Sequence, residues 1–554
     1  MATPRQCVIV ARSLALWLGL VGAMGGGRAL GAAAFPLGVS ANRHYLVDQN
    51  GTPFFMVGDA AQSAAGALTL AEFRGYIDTR VSQGFNTINV NVVEDVHSPN
   101  PPADRSGDRP FTSAGDFSTA NDTYFAGVAQ KIAYALSKGV FVLLAYYSGH
   151  GVGDPGYDQL VSNSLANCQG LGTYLANGHG AFGGFKGYPN VAWVWGADHL
   201  FTSDTAPRDC LHAIAQYMKS AGSTQLMSGD WGIPAGNSGL ATAQAEFRTY
   251  MDLQNTYAYL ENGGIPGTAR AGYSYIPSSA SSDGRALSAL PQYLKETGYE
   301  GESTSGETGG APATNLRFYQ WTAILNGDTT GLLYGHRDVW GFATPATGYS
   351  PCLFPGCTVW TSSINSAGAQ DMARLSTFIR SIAWHKLAPS GPSPFLGRVL
   401  IGGGQDSSAG GDVSAAADPA GTLLLAYVPS TGTGARSLNI DPRSMSGAAR
   451  ARWWDPTSGA FTDAGSIPNT GTQVITSPGA NAAGANDWLL VLDAAAVATA
   501  APSVAPAKAV SSGGCNQGGQ ITGLLAAALA AYGARRWFRR AHTSAHGGGM
   551  PPLP

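Results

Sequence analysis

Between residues 54 and 335 the chain alternates short apolar runs with stretches whose apolar positions recur at helical spacing. The runs are Phe54–Asp59, Phe85–Val93, Val140–Tyr146, Val191–Asp198, Gln225–Ser228, Tyr250–Gln254, Gln292–Glu296 and Gly331–Gly335. The stronger ones are apolar at consecutive positions, as parallel strands buried on both faces require. Helical patterns over Thr69–Gln83 and Tyr124–Lys138 fill two of the gaps. Eight strands with helices between them predict an α/β fold, a closed (β/α)8 TIM barrel. The period changes after a helical stretch at Asp371–Lys386 and the stop Leu387-Ala-Pro389. Leu423–Pro429, Ser437–Ile440, Ala451–Pro456 and Asp487–Leu492 read as short strands separated by turns, which predicts a small all-β sandwich after the barrel.

The two ends of the chain follow neither pattern. Arg5 and Arg12, an apolar run from Leu14 to about Met24, and small residues over 29–34 form the order of a secretory signal, cleaved between Gly31 and Ala34. An Ala/Pro/Ser stretch from Ala494 to Gly514 leads to Cys515, an apolar run Ile521–Gly533, and Arg535, Arg536, Arg539 and Arg540. This tail is similar to bacterial C-terminal sorting tags and implies transient membrane anchoring, the alternative being a short retained anchor. The expected organisation is a signal peptide over 1–33, a barrel over 35–390, a sandwich over 398–493, a linker over 494–514 and the tail over 515–554. The expected location is secreted or cell-surface.

Composition narrows the function. The chain has 554 residues, 75 of them glycine, and only 12% are charged. A net charge of −3 offers no basic field for nucleic acid. Export permits disulfides, and four of the six cysteines fall in the body of the chain. Cys352 with Cys357 would close a small loop, and Cys168 with Cys210 would pair across the barrel top, although four cysteines allow three connectivities. The Cys and His spacing has no zinc pattern, and neither a metal nor a cofactor is implied. The Gly-rich stretch Gly178–Gly187 matches no phosphate loop and reads as a surface loop shaping the pocket.

Two acids close barrel runs, Asp198 after Val191-Ala-Trp-Val-Trp-Gly-Ala and Glu296 after Gln292-Tyr-Leu-Lys. Carboxylates at the C-terminal ends of barrel strands are the pair that glycosidic bond cleavage needs, one to donate a proton and one to attack. Taken singly, Asp198 reads sooner as a helix cap, and Glu296 as the partner of an arginine, than as a catalytic group. Together, on strands four and seven, they predict a glycoside hydrolase acting on a polysaccharide or oligosaccharide. Trp193 and Trp195 are expected to wall Asp198 and favour its protonated form. The alternative is a non-catalytic carbohydrate- or matrix-binding surface protein.

Five successive motifs, Met56-Val-Gly-Asp-Ala60, Arg80-Val-Ser-Gln-Gly-Phe-Asn86, Trp193-Val-Trp-Gly-Ala-Asp198, Glu296-Thr-Gly-Tyr-Glu300 and Tyr334-Gly-His-Arg-Asp-Val-Trp340, resemble those of the apiosidase-like bacterial glycoside hydrolases. The resemblance runs over about residues 36 to 390. It implies a retaining mechanism, with Asp198 as acid/base and Glu296 as nucleophile. One departure is Ala197, where the family commonly has glycine. The C-terminal strands resemble the sandwich appended to many of these enzymes and labelled collagen-binding; a packing role against the barrel is expected of it, with Trp453-Trp454 either core or sugar platform.

Around the two acids, Asp59, Glu94 and Asp95 are candidates to bond sugar hydroxyls. Glu300 matches the second acid of the family motif and is expected to hold a loop or an arginine, with nucleophile as the alternative role. Trp231, Tyr257, Tyr299 and Trp340 are candidates to stack on a sugar face. His199 directly follows Asp198 and is placed to tune it, while His97, His150 and His336 also lie near strand ends. Asp230, Asp252 and Gln254 complete the expected shell around the substrate.

Overall fold

The computed structural model of the chain describes residues 33–98, 100–146, 152–196, 204–229, 249, 251–258, 290–302, 312–326, 329–344, 357–389, 400–402, 413–430 and 434–494. Eight parallel strands form one sheet: β1 (Met56–Ala60), β2 (Thr87–Asn91), β3 (Phe141–Ala145), β4 (Val191–Trp195), β5 (Leu226–Gly229), β6 (Gln254–Ala258), β7 (Gln292–Thr297) and β8 (Thr329–Tyr334). Their order is β5-β4-β3-β2-β1-β8-β7-β6. The remaining seam, β5 to β6, is closed at its N-terminal end. Ser228 and Leu253 form a parallel bridge, the amides of Asp252 and Leu253 donate to the Met227 carbonyl at 2.8 and 3.1 Å, and the Asp252 carboxylate accepts from the Met227 amide at 3.0 Å. The (β/α)8 barrel read from the sequence is therefore present.

Strand six differs from expectation, running over Gln254–Ala258 instead of Tyr250–Gln254. The apolar residues before it serve the seam instead, with Leu253 turned into the barrel interior. Asp252 and Gln254 thus sit at the start of β6, at the end of the barrel away from the strand C-termini. That removes both from the expected substrate shell.

Side-chain alternation sorts the strands into an inner and an outer face. Met56, Phe141, Leu143, Ala145, Ala192, Val194, Tyr293 and Leu333 fill the interior together with Leu253. A small antiparallel sheet of Gly38–Val39, Leu46–Val47 and Pro53–Phe54 brings Leu37, Leu46 and Phe54 into the same cluster and seals the N-terminal mouth. The other end, where loops follow the strand C-termini, is left for chemistry. The stretch Gly178–Gly187 precedes β4 and so lies at the sealed end; Phe182 and Phe185 anchor it in the helix layer, and it does not shape a pocket at the strand C-termini.

The helices include α1 (Leu70–Ser82), α2 (Asp122–Ser137), α3 (Pro155–Ser162), α4 (Leu165–Asn177), α5 (Thr205–Ser220), α6 (Ala313–Asn326) and α7 (Ala367–Arg380). Thr69 starts α1 by a reciprocal cap, its hydroxyl accepting from the Glu72 amide while the Glu72 carboxylate accepts from the Thr69 amide. The disulfide Cys168–Cys210 ties α4 to α5 in the helix layer. Cys357 is also disulfide-bonded. Among the described residues no helix is long and apolar enough to cross a membrane.

After α7 come β9 (Ala388–Pro389), β10 (Leu400–Gly402), β11 (Ser414–Ala417), β12 (Leu423–Val428), β13 (Ser437–Ile440), β14 (Ala449–Trp454), β15 (Phe461–Ile467), β16 (Gln473–Thr476) and β17 (Trp488–Asp493). They form a six-stranded sheet β9-β11-β12-β17-β14-β15 and a three-stranded sheet β10-β13-β16, every pairing antiparallel. Alternation sends the adjacent tryptophans opposite ways. Trp453 enters the sandwich core, whereas Trp454 joins the cluster that α6 and α7 contribute from the barrel. There it lies edge-on to Trp321 at 5.5 Å and 4.7 Å from Phe378. Each is 2% exposed, so both are core residues and neither offers a sugar platform. The same contact carries charge: Arg317 donates to Asp487 at 2.7 and 2.9 Å and to Asp371 at 2.7 Å. The sandwich is thus packed on the barrel, as the sequence suggested.

Candidate active site

Glu296 owes its position to an irregularity in β7. Tyr293 pairs with Asn255 and Leu294 with Thr256, but the next pair is Glu296 with Tyr257, so Lys295 is an extra residue with no partner on β6. Tyr293 faces the interior and Leu294 faces the helices. Regular alternation would return Lys295 to the interior and send Glu296 out. The inserted residue resets the count for Glu296, which is how a bulge re-aims a side chain. Both residues are nearly buried, and the Lys295 ammonium lies 3.3 Å from Glu296 Oε2. A carboxylate with an adjacent cation at the C-terminal end of a barrel strand is equipped to stay ionised and to act as a nucleophile.

At the same end of the barrel the last residue of β1 and the loops after β7 and β8 meet in a small apolar cluster of Ala60, Tyr299 and Trp340. The ring centroids of Tyr299 and Trp340 are 6.2 Å apart, and His97 packs on Trp340 at 4.7 Å. Gln62 donates to the Tyr299 hydroxyl at 3.0 Å. Gly335 is required beneath the ring, because a Cβ there would fall 2.1 Å from Tyr299 Cδ1. Tyr299 is 4% exposed and Trp340 7%, so each is mainly packed, with Trp340 Nε1 buried and lacking a hydrogen-bond partner among the described residues. Below this level Asn89 and Asn255 carry buried side-chain oxygens without a hydrogen-bond partner among the described residues.

Three acids expected to touch substrate are turned elsewhere. Asp59 follows Gly58 on β1 and, by alternation, faces α1. Its Oδ2 accepts from Arg80 Nε at 2.7 Å and from the Tyr76 hydroxyl at 2.6 Å, and the residue is wholly buried. It fastens a helix to its strand. Glu94 accepts from the Ser63 hydroxyl, Asn91 Nδ2 and the amides of Val96 and His97 at 2.8–3.1 Å. Burial works to raise its pKa, but hydrogen bonds and charge from His97, with Asn91, hold it down at about 2. It knots the loop after β2. Glu300 accepts from the Tyr334 and Ser366 hydroxyls, both at 2.6 Å, and from the Gly368 amide at 3.0 Å. It seats the N-terminus of α7, where a carboxylate also meets the positive end of the helix dipole. The expectation that Glu300 holds a loop is met in this form; its use as a substrate contact is not.

Asp95 differs from its neighbour. Burial pushes its pKa up to about 7, against a hydrogen bond from Gln159 at 3.0 Å. His336 is lowered by burial, and its Nδ1 accepts from the Asp338 amide at 3.1 Å. Asp198, His199 and Trp231 lie outside the described residues, as do Asp230 and His150. Tyr257 is placed on β6 opposite Glu296, with its side chain outside the described residues. Trp193 and Trp195 were expected to wall Asp198. Both indoles face the helix layer, stacked at 5.7 Å, and Trp193 Nε1 donates to Gln225 at 2.8 Å. Lys295 and Gln62 belong to the site but were not singled out from the sequence. Among the described residues no group of three His, Cys, Asp or Glu side chains is arranged to hold a metal.

A barrel sealed at its N-terminal mouth, with a buried acid at the C-terminal end of β7, places the chain in the class of (β/α)8 barrels. Residues 40–386, more than half of the chain, match the family model described as "Apiosidase-like, catalytic domain", and the chain belongs to that family of glycoside hydrolases. Residues 403–493 match the model described as "Putative collagen-binding domain of a collagenase". Among solved structures, one titled "Glycoside hydrolase" is 19% identical with a TM-score of 0.67, the alignment covering 84% of this chain and 99% of that one. A glycoside hydrolase family 5 structure from Bacteroides vulgatus is 20% identical with a TM-score of 0.67, covering 83% and 94%. At such identities the likeness is one of fold. The search of curated proteins finds no match.

Proposed function

We propose that this protein is a retaining glycoside hydrolase in which Glu296 is the nucleophile and Asp198 the acid/base. The observation that supports the reading is the bulge in β7 at Lys295, beside which Glu296, the acid matching the family's nucleophile, has an ammonium at 3.3 Å. In the first step a Glu296 oxygen attacks the anomeric carbon while the bond to the aglycone oxygen breaks, and that oxygen takes the proton of Asp198. In the second, Asp198 removes a proton from water, whose oxygen attacks the anomeric carbon and returns Glu296 to the carboxylate. The retaining assignment requires the two carboxyl groups about 5–5.5 Å apart. Asp198 is assigned by its match to the family motif and its place three residues beyond β4.

The substrate proposed is a sugar unit on a polysaccharide, with apiose on a pectic side chain the first to try because the family is apiosidase-like. Export is proposed with it, on the basic, apolar and small-residue order of the N-terminus and on the Cys168–Cys210 disulfide. The test is sugar release from a panel of pectic and hemicellulosic polysaccharides by wild type, Glu296→Ala and Asp198→Asn. Release by the wild type alone supports the reading. Equal release by Glu296→Ala, or retained binding with no release from any substrate, overturns it.

A further inference from the structure

The mechanism proposed above leaves one buried ionisable group beside the nucleophile without a task. Lys295 is 1% exposed, its ammonium lies 3.3 Å from Glu296 Oε2, and it is the residue that the β7 irregularity inserts. Burying a lysine is costly unless its charge is answered. A bulge formed only to re-aim Glu296 would be served as well by a small or apolar residue. The strand instead carries a fixed positive charge in contact with the carboxylate whose charge changes during the reaction.

We propose that Lys295 is a positioning residue that drives the second half of the reaction, the release of sugar from Glu296. The inference rests on the function proposed for Glu296. In the resting enzyme Glu296 is an anion and the pair is neutral. When a Glu296 oxygen bonds to the anomeric carbon and the aglycone leaves with the acid's proton, the carboxylate becomes an ester and loses its charge. The Lys295 cation then faces an uncharged ester where the carboxylate had been. Attack by water breaks the ester bond, returns the electron pair to Glu296 and restores the ion pair. The cation thus raises the ester relative to both flanking transition states, in which the carboxylate oxygen is partly charged. It shortens the lifetime of the covalent intermediate and slows its formation, because the fully charged resting carboxylate is stabilised more than the partly charged oxygen of the first transition state.

This predicts a split that a merely structural lysine would not show. In Lys295→Met, release of the sugar should slow by about 3- to 10-fold, about half of the one to two decades by which an opposite charge at this distance shifts the equilibrium between carboxylate and ester. Release becomes rate-limiting, so kcat and KM fall together while kcat/KM is maintained or rises. The glycosyl adduct should accumulate and appear as a mass increase on Glu296 after acid quenching at steady state, with the pectic substrate that the wild type cleaves. Lys295→Arg, which keeps the charge, should restore kcat. Equal loss in kcat and kcat/KM with no adduct, or no rescue by arginine, overturns the inference. If Glu296→Gln retains activity, the proposed function fails first. Should Lys295→Met fold too poorly for kinetics, denaturant melts of Lys295→Gln, Glu296→Gln and the double variant replace it. The single variants should couple by at least about tenfold in the folding equilibrium, and additivity would refute the pairing.

Discussion

Replacing Arg317 with methionine should loosen the sandwich from the barrel by a predictable amount. Arg317 is 3% exposed and bridges two buried carboxylates, Asp487 at 0% and Asp371 at 5%. Removing one partner of such a buried set costs about 3–5 kcal/mol, because the acids left behind have already lost their water. Each keeps other donors. Asp487 retains the Tyr427 hydroxyl at 3.0 Å and Asn481 Nδ2 at 2.9 Å, and Asp371 retains Arg374 at 2.7 Å. The loss therefore belongs at the lower end, about 3 kcal/mol. Unfolding entropy of ~2.1 cal/mol/K per residue converts this to temperature. If residues 40–493 melt as one unit, Tm should fall by about 3 °C. If the sandwich, 403–493, melts alone, its own transition should fall by about 15 °C. Differential scanning calorimetry separates these cases. A Tm within about 1 °C of wild type in every transition would refute the view that Arg317 fastens the two parts.

Gly368→Ala should unseat Glu300, because a Cβ at 368 would lie 2.6 Å from Glu300 Oε2 and 2.9 Å from the Tyr334 ring; a loss of about 1–3 kcal/mol in a denaturant melt is expected. Glu94→Gln should destabilise at pH 7. Since the Glu94 carboxyl is held down at about 2, its stabilisation is present above the unfolded carboxylate range and is lost as pH falls towards 2. The gap between variant and wild-type melts should close over that window. Asp95 has the opposite sign. Burial pushes it up to about 7, so its ionisation weakens the fold as pH rises from the ordinary carboxylate range to 7. Asp95→Asn should match wild type near pH 4 and melt higher at pH 8.

The barrel was legible because its strands are buried on both faces, and continuous apolar runs such as Phe141–Ala145 show this directly. Strand six was misplaced because Met251 and Leu253 are equally apolar but Met251 packs in the helix-side core and Leu253 serves the closing seam, tertiary roles that periodicity does not report. The acids were harder. Asp59, Glu94 and Glu300 all sit at strand ends, as substrate contacts do, yet alternation and loop closure turn them to α1, to the loop after β2 and to α7. Trp193 and Trp195 show the same ambiguity: their spacing of two fixes a shared face, but not which face. The position of Glu296 was read correctly for its strand, while its inward orientation depends on the extra residue Lys295, which a regular strand of the same sequence would lack. No pattern of apolar positions signals such a bulge.

The central claim is that Glu296 attacks the sugar. Once the released sugar is known, its 2-deoxy-2-fluoro derivative with an activated leaving group should inactivate the enzyme, and the modified peptide can be identified by mass spectrometry. The account predicts one sugar attached through Glu296. A label on Glu300 or on any other residue, or turnover with inverted anomeric configuration and no label, would contradict it.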